Sequence, residues 1–296
     1  MRGVALWLVA AVVVAVSGCA PTGSQGGKPD VVTSTDVWAS VATAVAGDHA
    51  HVRPIIDNPA EDPHSYDASP ADAAAIADAQ LVVYNGGDYD RFVDAVLDQH
   101  ADIKRVNAFT VGGHQPHSNP HVFYDLDTVS AVAGAVADRL AAIDPDHAVD
   151  YRSNAQKFIG QVHALANTER GIASAHPGAA SVATEDVAQY LESATGLTDN
   201  TPEGYYTAIG ADAEPAPADM AKVLDLVNSH GVQVVLFNPQ TDTPAVHRIV
   251  DAANSAGVPV VEVRETLPAG VDFLTWQRQT IDKLTAALLK SSDHAS

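Results

Sequence analysis

The sequence predicts an α/β fold in which two parallel-sheet lobes are joined by one long α-helix. Short β-branched runs alternate with alanine-rich stretches from Val31 onward, the pattern of parallel strands connected by helices. The alternation comes in two sets. Between them, residues 145–175 carry Tyr151, Ala155, Phe158, Ile159, Val162, Leu165 and Ile172 at spacings of three and four. That period predicts one amphipathic helix roughly 45 Å long.

The first lobe is expected over residues 31–144, with strands at 31–35, 52–56, 81–84 and 105–108. A helix over 36–46 should stop at Gly47. Ser69-Pro70 opens another to about Ala79, with serine as N-cap and proline in the first turn. Asp125 is placed to cap a helix running to Ala142. The connecting helix, 145–175, is interrupted only by Gly160 and Gly171, so it should span rather than hinge. In the second lobe, 176–296, strands are expected at 181–184, 232–237 and 258–263. The helices there should end at Gly196, Gly231 and Gly257, where glycine suits the left-handed cap.

The amino terminus reads as an export signal over residues 1–18. Arg2 precedes an apolar run from Val4 to Val16, about thirteen residues against the roughly 20 that cross a bilayer as a helix. The run ends at Val16-Ser17-Gly18-Cys19, which resembles the bacterial lipobox, whose cysteine is acylated and becomes the anchor. Cys19 is the chain's only cysteine, so no internal disulfide can form. Residues 19–30, rich in Gly, Ser, Thr and Pro, read as a flexible tether. Removing Arg2 with the signal takes the formal charge from −21 to about −22. Such a surface argues against nucleic acid or anionic lipid headgroups as partners and suits a cationic ligand.

Thirteen histidines stand in the chain, seven of them before residue 122. Two sit in matching places. His64 follows Pro63 in Asp62-Pro63-His64-Ser65-Tyr66, after a strand and just before the helix at Ser69-Pro70. His121 follows Pro120 in Asn119-Pro120-His121-Val122-Phe123, after a strand and just before the helix at Asp125. Proline fixes the backbone ahead of each imidazole, so the pair reads as two aimed metal ligands. His114 and His117 lie in Gly112-Gly113-His114-Gln115-Pro116-His117, a polar loop that is either an accessory metal-gathering segment or inert. His49 and His51 are read as plain surface residues.

The chain resembles the metal-binding lipoproteins of zinc and manganese ABC importers. The motifs that carry the resemblance are Asp62-Pro63-His64-Ser65-Tyr66 with Ser69-Pro70, Leu81-Val82-Val83-Tyr84-Asn85-Gly86, and Asn119-Pro120-His121. In that family the ion sits between two lobes, held by histidines of the first and by a His or Glu and a carboxylate of the second. The resemblance implies His64 and His121 as the first two ligands. Val182-Ala183-Thr184-Glu185-Asp186, followed by Tyr190 and Gly196-Leu197, implies Glu185 as the third. The family's usual Asp-Pro after the last strand is absent. Glu265 is the better candidate there, because strand alternation turns Glu262 away from Val261 and Val263 while Glu265 falls in the loop beyond.

Independently of the family, each of the four lies beyond the carboxyl end of a predicted parallel strand, where open α/β sheets bind ligands. Two imidazoles and two carboxylates suit Zn²⁺ or Mn²⁺ and lack the thiolates that favour Cu(I). The resemblance further implies a monomer outside the cytoplasm that delivers its ion to an ABC permease. Two other classes stand beside this reading: an exported zinc hydrolase, for which His-Glu-x-x-His and Gly-x-Ser-x-Gly are both missing, and a surface adhesin-like lipoprotein.

Overall fold

The structure, a computed structural model, describes residues 27–294 apart from Asp212 and Asp242. The expected signal, Cys19 and the tether up to residue 26 lie outside the described residues. The first lobe runs β1 (Asp30–Thr35), α1 (Asp36–Ala46), β2 (His51–Ile56), α2 (Pro70–Ala77), β3 (Leu81–Tyr84), α3 (Arg91–Leu97), β4 (Lys104–Asn107), α4 (Ala108–Val111) and α5 (Leu126–Ile143). After α6 (Ala148–Ala175), the second lobe runs β5 (Ala180–Ala183), α7 (Gln189–Thr195), β6 (Thr198–Asp199), α8 (Glu203–Ile209), α9 (Pro217–Asn228), β7 (Val234–Phe237), α10 (Pro244–Ala256), β8 (Val260–Glu262) and α11 (Phe273–His294). None of the described helices is long and apolar enough to cross a membrane.

Each lobe holds a four-stranded sheet, and both have the same strand order: β2-β1-β3-β4 and β6-β5-β7-β8. Every pairing is parallel. Parallel sheets are covered by helices on both faces, so central strands read as unbroken apolar runs. Leu81 to Tyr84 of β3 and Val182 and Ala183 of β5 are all buried.

The local signals act as their chemistry dictates. Ser69 and Asp72 form a reciprocal capping box at α2, with Pro70 in the first turn. Asp125 accepts the Asp127 amide at the start of α5. Gly196 and Gly257 take left-handed conformations after α7 and α10. Gly231 does not: α9 ends at Asn228, and His230 is the residue with positive φ. β3 keeps its expected limits, and the other expected strands begin or end one or two residues away from theirs. The edge strand β6, only two residues long, carries no periodic signal at all.

The connecting helix forms without a break. A 3₁₀ turn, Pro145–His147, leads into the 28 residues of α6, about 42 Å at 1.5 Å per residue. Its buried stripe of Tyr151, Ala155, Phe158, Val162, Leu165 and Ile172 follows the predicted spacing. One apolar cluster runs from Val31 and Trp38 in the first lobe through this stripe to Leu236, Phe273 and Trp276 in the second. The lobes therefore share a continuous core, and a wide opening would have to part it.

Candidate metal centre

The first lobe supplies two imidazoles from loops with fixed backbones. Pro63 is buried, and the His64 amide donates to Asp62 Oδ1 at 2.8 Å. Asn119 does more for His121: its Oδ1 accepts both the His121 amide at 2.8 Å and Nδ1 at 2.9 Å. Its amide nitrogen in turn donates to the Asp186 carbonyl at 2.7 Å, which fixes which end of Asn119 faces the ring. Nδ1 of His121 therefore carries a proton, and Nε2 is the nitrogen that faces the cleft. Behind the loop, the fully buried Asn85 donates to the Pro120 carbonyl at 2.7 Å. Asn85 stands at the carboxyl end of β3, followed by Gly86 at φ 73°, where a Cβ would meet the Asn107 side chain at 2.3 Å.

From the second lobe comes Glu265, only 1% exposed. As the alternation predicted, Val261 and Val263 point into the core, Glu262 points out, and Glu265 lies past the end of β8. Its loop is stitched to the first lobe. The Leu267 amide donates to the Asp36 carboxylate at 3.1 Å, and the Tyr124 hydroxyl donates to the Arg264 carbonyl at 3.0 Å. Thr266 reaches the Pro59 carbonyl at 3.3 Å.

These elements bring His64, His121 and Glu265 together. Among the described residues they are the one group of three or more such side chains whose ligand atoms all lie within 4.8 Å of one another. The two Nε2 atoms are 3.2 Å apart, and each is 3.5 Å from Glu265 Oε2. Ligands about 2.0–2.1 Å from a tetrahedral ion stand about 3.3–3.4 Å from one another, so this triangle has the edges of one face of such a polyhedron. Glu265 Oε2 is buried and has no hydrogen-bond partner. A buried carboxylate oxygen without a hydrogen bond is costly, and an ion at the triangle's centre would satisfy it more closely than the imidazoles at 3.5 Å do.

The charges are coupled. Burial disfavours the ionised form of Glu265, but the imidazoles of His121 and His64 outweigh it and hold the carboxyl below its usual range. Burial likewise works against a charged His121, and Glu265 overcomes it, so this imidazole sits above its ordinary value. For His64, burial wins over the pull of Glu265, and the ring is pushed down. His64 is also the most accessible of the three, its side chain 35% exposed against 3% and 2% for His121 and Glu265.

Glu185 lies beside this triangle and outside it. It follows β5 as expected, but its Oε2 accepts hydrogen bonds from Asn238 Nδ2 at 2.7 Å and from the Thr241 hydroxyl. Burial, and then the charge of Glu265, raise its pKa to about 7. His114 is held by its neighbours. Its Nε2 is 2.8 Å from Thr128 Oγ1 and 3.2 Å from Asp125 Oδ2, and its Nδ1 is 3.2 Å from the Tyr190 hydroxyl. That seat is made by α5 and α7, which local sequence does not display. His117 is exposed, with φ 68°. His49 is not simply exposed either: its ring stacks on His147 at 4.0 Å between centroids.

Sequence reasoning passed over Asn238 and Tyr89 and quoted Asn85 within a motif without giving it a role. Tyr89 is 1% exposed and sets its ring edge-on to His64 at 4.6 Å, forming the apolar wall of the centre. The signal for the two asparagines was available: each directly follows the strand at the third position of its sheet.

Two parallel-sheet lobes, a rigid connecting helix and a cleft in which both lobes present ligand atoms define a two-lobed binding protein built around a small cation. The chain belongs to the family described as zinc-uptake complex component A, periplasmic, which matches residues 31–287. It is thus a metal-binding solute-binding protein of the kind that serves ABC importers. Among curated relatives, the manganese ABC transporter substrate-binding lipoprotein scaA of Streptococcus gordonii is 22% identical over 289 residues, covering 91% of this chain and 92% of that one. The same fold occurs in the periplasmic zinc binding protein TroA of Treponema pallidum, at TM-score 0.75 and 22% identity, covering 88% and 99% of the two chains. It occurs also in the laminin binding protein Lmb of Streptococcus agalactiae, described as a bifunctional protein with adhesin and metal transporting activity, at TM-score 0.73 and 24% identity, covering 88% and 99%.

Proposed function

We propose that this protein captures one divalent transition-metal ion, zinc in preference to manganese, on His64, His121 and Glu265, and delivers it to an ABC permease. The observation that carries the reading is the triangle of 3.2, 3.5 and 3.5 Å, one corner of which is a buried carboxylate oxygen without a hydrogen bond. Its edges match a small four-coordinate ion, and the same nitrogen and oxygen donors bind zinc more tightly than manganese in the intrinsic order of affinities. Water completes the shell, and Glu185 stands back beside it on Asn238 and Thr241. The relatives are named for zinc and manganese, which agrees with a single divalent ion as cargo.

On this reading residues 1–18 direct export, Cys19 carries the lipid, and residues 19–30 tether a monomeric domain at the outer face of the cell membrane. Residues 31–144 and 176–296 form the two lobes and 145–175 the spacer. His114 takes no part in binding, since it is committed to Thr128, Asp125 and Tyr190. The protein acts as a carrier, in keeping with relatives named as substrate-binding lipoproteins, and Asn119, Asn238 and Thr241 brace the ligands. Because the lobes share one core, loading and release involve a small tilt or a change at the second-lobe carboxylates, in place of a wide hinge.

The test is metal analysis and calorimetric titration of residues 27–296 with Zn²⁺ and Mn²⁺. One equivalent of zinc should bind, more tightly than manganese. Wild-type affinity in both His121→Ala and Glu265→Gln would overturn the assignment of the centre.

A further inference from the structure

Asn238 occupies a position at the centre that its identity as a loop residue does not suggest. It follows β7 and is fully buried. Three bonds fix it. Its backbone amide donates to Thr184 Oγ1 at 3.0 Å, and its Oδ1 accepts the Gln240 amide at 3.0 Å. With the oxygen so engaged, Nδ2 must face the other way, where it donates to Glu185 Oε2 at 2.7 Å and to Glu265 Oε1 at 2.9 Å. Gln240, two residues on, accepts the Glu265 amide at 2.8 Å and reaches the Glu61 carbonyl at 2.7 Å. The Asn238-Pro239-Gln240 turn thus grips Glu265 by its backbone and by one carboxylate oxygen.

We propose that Asn238 is the positioning residue that sets metal preference, by holding Glu265 to one ligating oxygen and drawing Glu185 back from the ion. This rests on the metal-carrier reading above. A carboxylate chelates through both oxygens only if both are free to turn toward the ion. Here Oε1 is bound to the amide, and Oε2 alone faces the two imidazoles. One-oxygen ligation keeps the coordination number low, as zinc accepts, whereas manganese favours six oxygen-rich positions. The same amide offers a proton to each of two neighbouring carboxylates, which lets Glu185 and Glu265 lie side by side without a second cation.

The experiment compares wild type, Asn238→Ala and Asn238→Asp in residues 27–296, titrated with Zn²⁺ and with Mn²⁺, and reads the zinc-bound forms by X-ray absorption. Asn238→Asp keeps the side chain's size, so it carries the test if the alanine variant does not fold. Releasing Oε1 should lower the zinc-to-manganese affinity ratio at least fivefold in either variant. The zinc-bound spectrum should gain oxygen ligands, a signature that mere loss of packing would not produce. Wild type that binds zinc, with variants whose ratio and first-shell spectrum are unchanged, would overturn the role of Asn238 and leave the carrier reading intact. Wild type that binds neither ion would sink the carrier reading and this inference with it.

Discussion

At the end of the third strand of each sheet's order stands a buried asparagine, Asn85 after β3 and Asn238 after β7. Both brace the ligand loop that follows the next strand of the sheet, but they hold different things. Asn85 donates to the carbonyls of Pro120 and Gly86, so it fixes backbone and leaves the His121 ring to Asn119. Asn238 donates to the carboxylates themselves. Two sheets of one topology thus make two kinds of half-site. In the first lobe a scaffold aims side chains that are otherwise free; in the second the bracing bond competes directly with the ion for ligand oxygens.

The strongest way to break this comparison is to ask whether all four acidic and imidazole groups count equally. His121→Ala and Glu265→Gln should each weaken zinc binding by more than about 100-fold, exceeding the usual cost of losing an outer-shell partner. Glu185→Gln should cost less than about fivefold, because Oε2 already belongs to Asn238 and Thr241. Isothermal titration of the three variants decides it. Equal losses for Glu185→Gln and Glu265→Gln would make the second lobe a plain two-carboxylate half-site, and the contrast with the first lobe would vanish.

Acidity sharpens the contrast next. Glu265 holds the His121 imidazole above its ordinary value near 6.5, so the ring must lose a proton before Nε2 can ligate. Between pH 7.5 and 5.5 zinc affinity should therefore fall by about 10- to 100-fold, roughly a decade per unit for each proton displaced. Titrations in buffers of different ionisation enthalpy should show proton release on binding. A flat profile would mean that the ion is not held by these histidines.

The first lobe's half of the site was legible because its signals are local. Each histidine has a proline immediately before it, a strand behind and a capped helix ahead in one continuous stretch of chain, residues 51–77 for His64 and 104–143 for His121. Glu265 was legible for a similar reason: alternation along β8 separates Val261 and Val263 from Glu262 and leaves Glu265 beyond the strand. What Glu185 does was hidden. Its position after β5 follows from the sheet, but its partners Asn238 and Thr241 arrive from another strand end more than fifty residues away. The seat of His114 is hidden on the same account, since Thr128 and Tyr190 come from separate helices. Backbone placement follows from periodicity, whereas the choice among hydrogen-bond partners depends on distant side chains meeting.

A smaller effect tests the scaffold side alone. Asn85→Ala removes two buried bonds to carbonyls and should destabilise the domain by about 1–3 kcal/mol in denaturant melts, since those carbonyls lose their donor. Zinc affinity should fall by about tenfold through looser aim of His121, with the zinc-to-manganese ratio unchanged. That unchanged ratio is the informative part. A shift in preference would show that bracing the backbone also selects the ion, a property the two asparagines would then share.

The smallest effect on binding, near zero, is expected from the element that belongs to neither lobe. Glu169 on α6 is 2% exposed, its Oε1 has no partner, and burial raises its pKa to about 8. Arg170 opposes that shift, while Asp125 and Asp127 add to it. From about pH 4.5 to about 8 the folded state therefore holds a proton that the unfolded chain has released, and stability declines as pH rises through this window. Glu169→Gln keeps the volume and removes the ionisation. Its melting should match wild type at pH 5 and exceed it by about 1–3 kcal/mol at pH 8, with zinc affinity unaltered. If affinity changed as well, the strain in the shared helix would be transmitted to the cleft, and the two halves of the site could not be treated as independently braced.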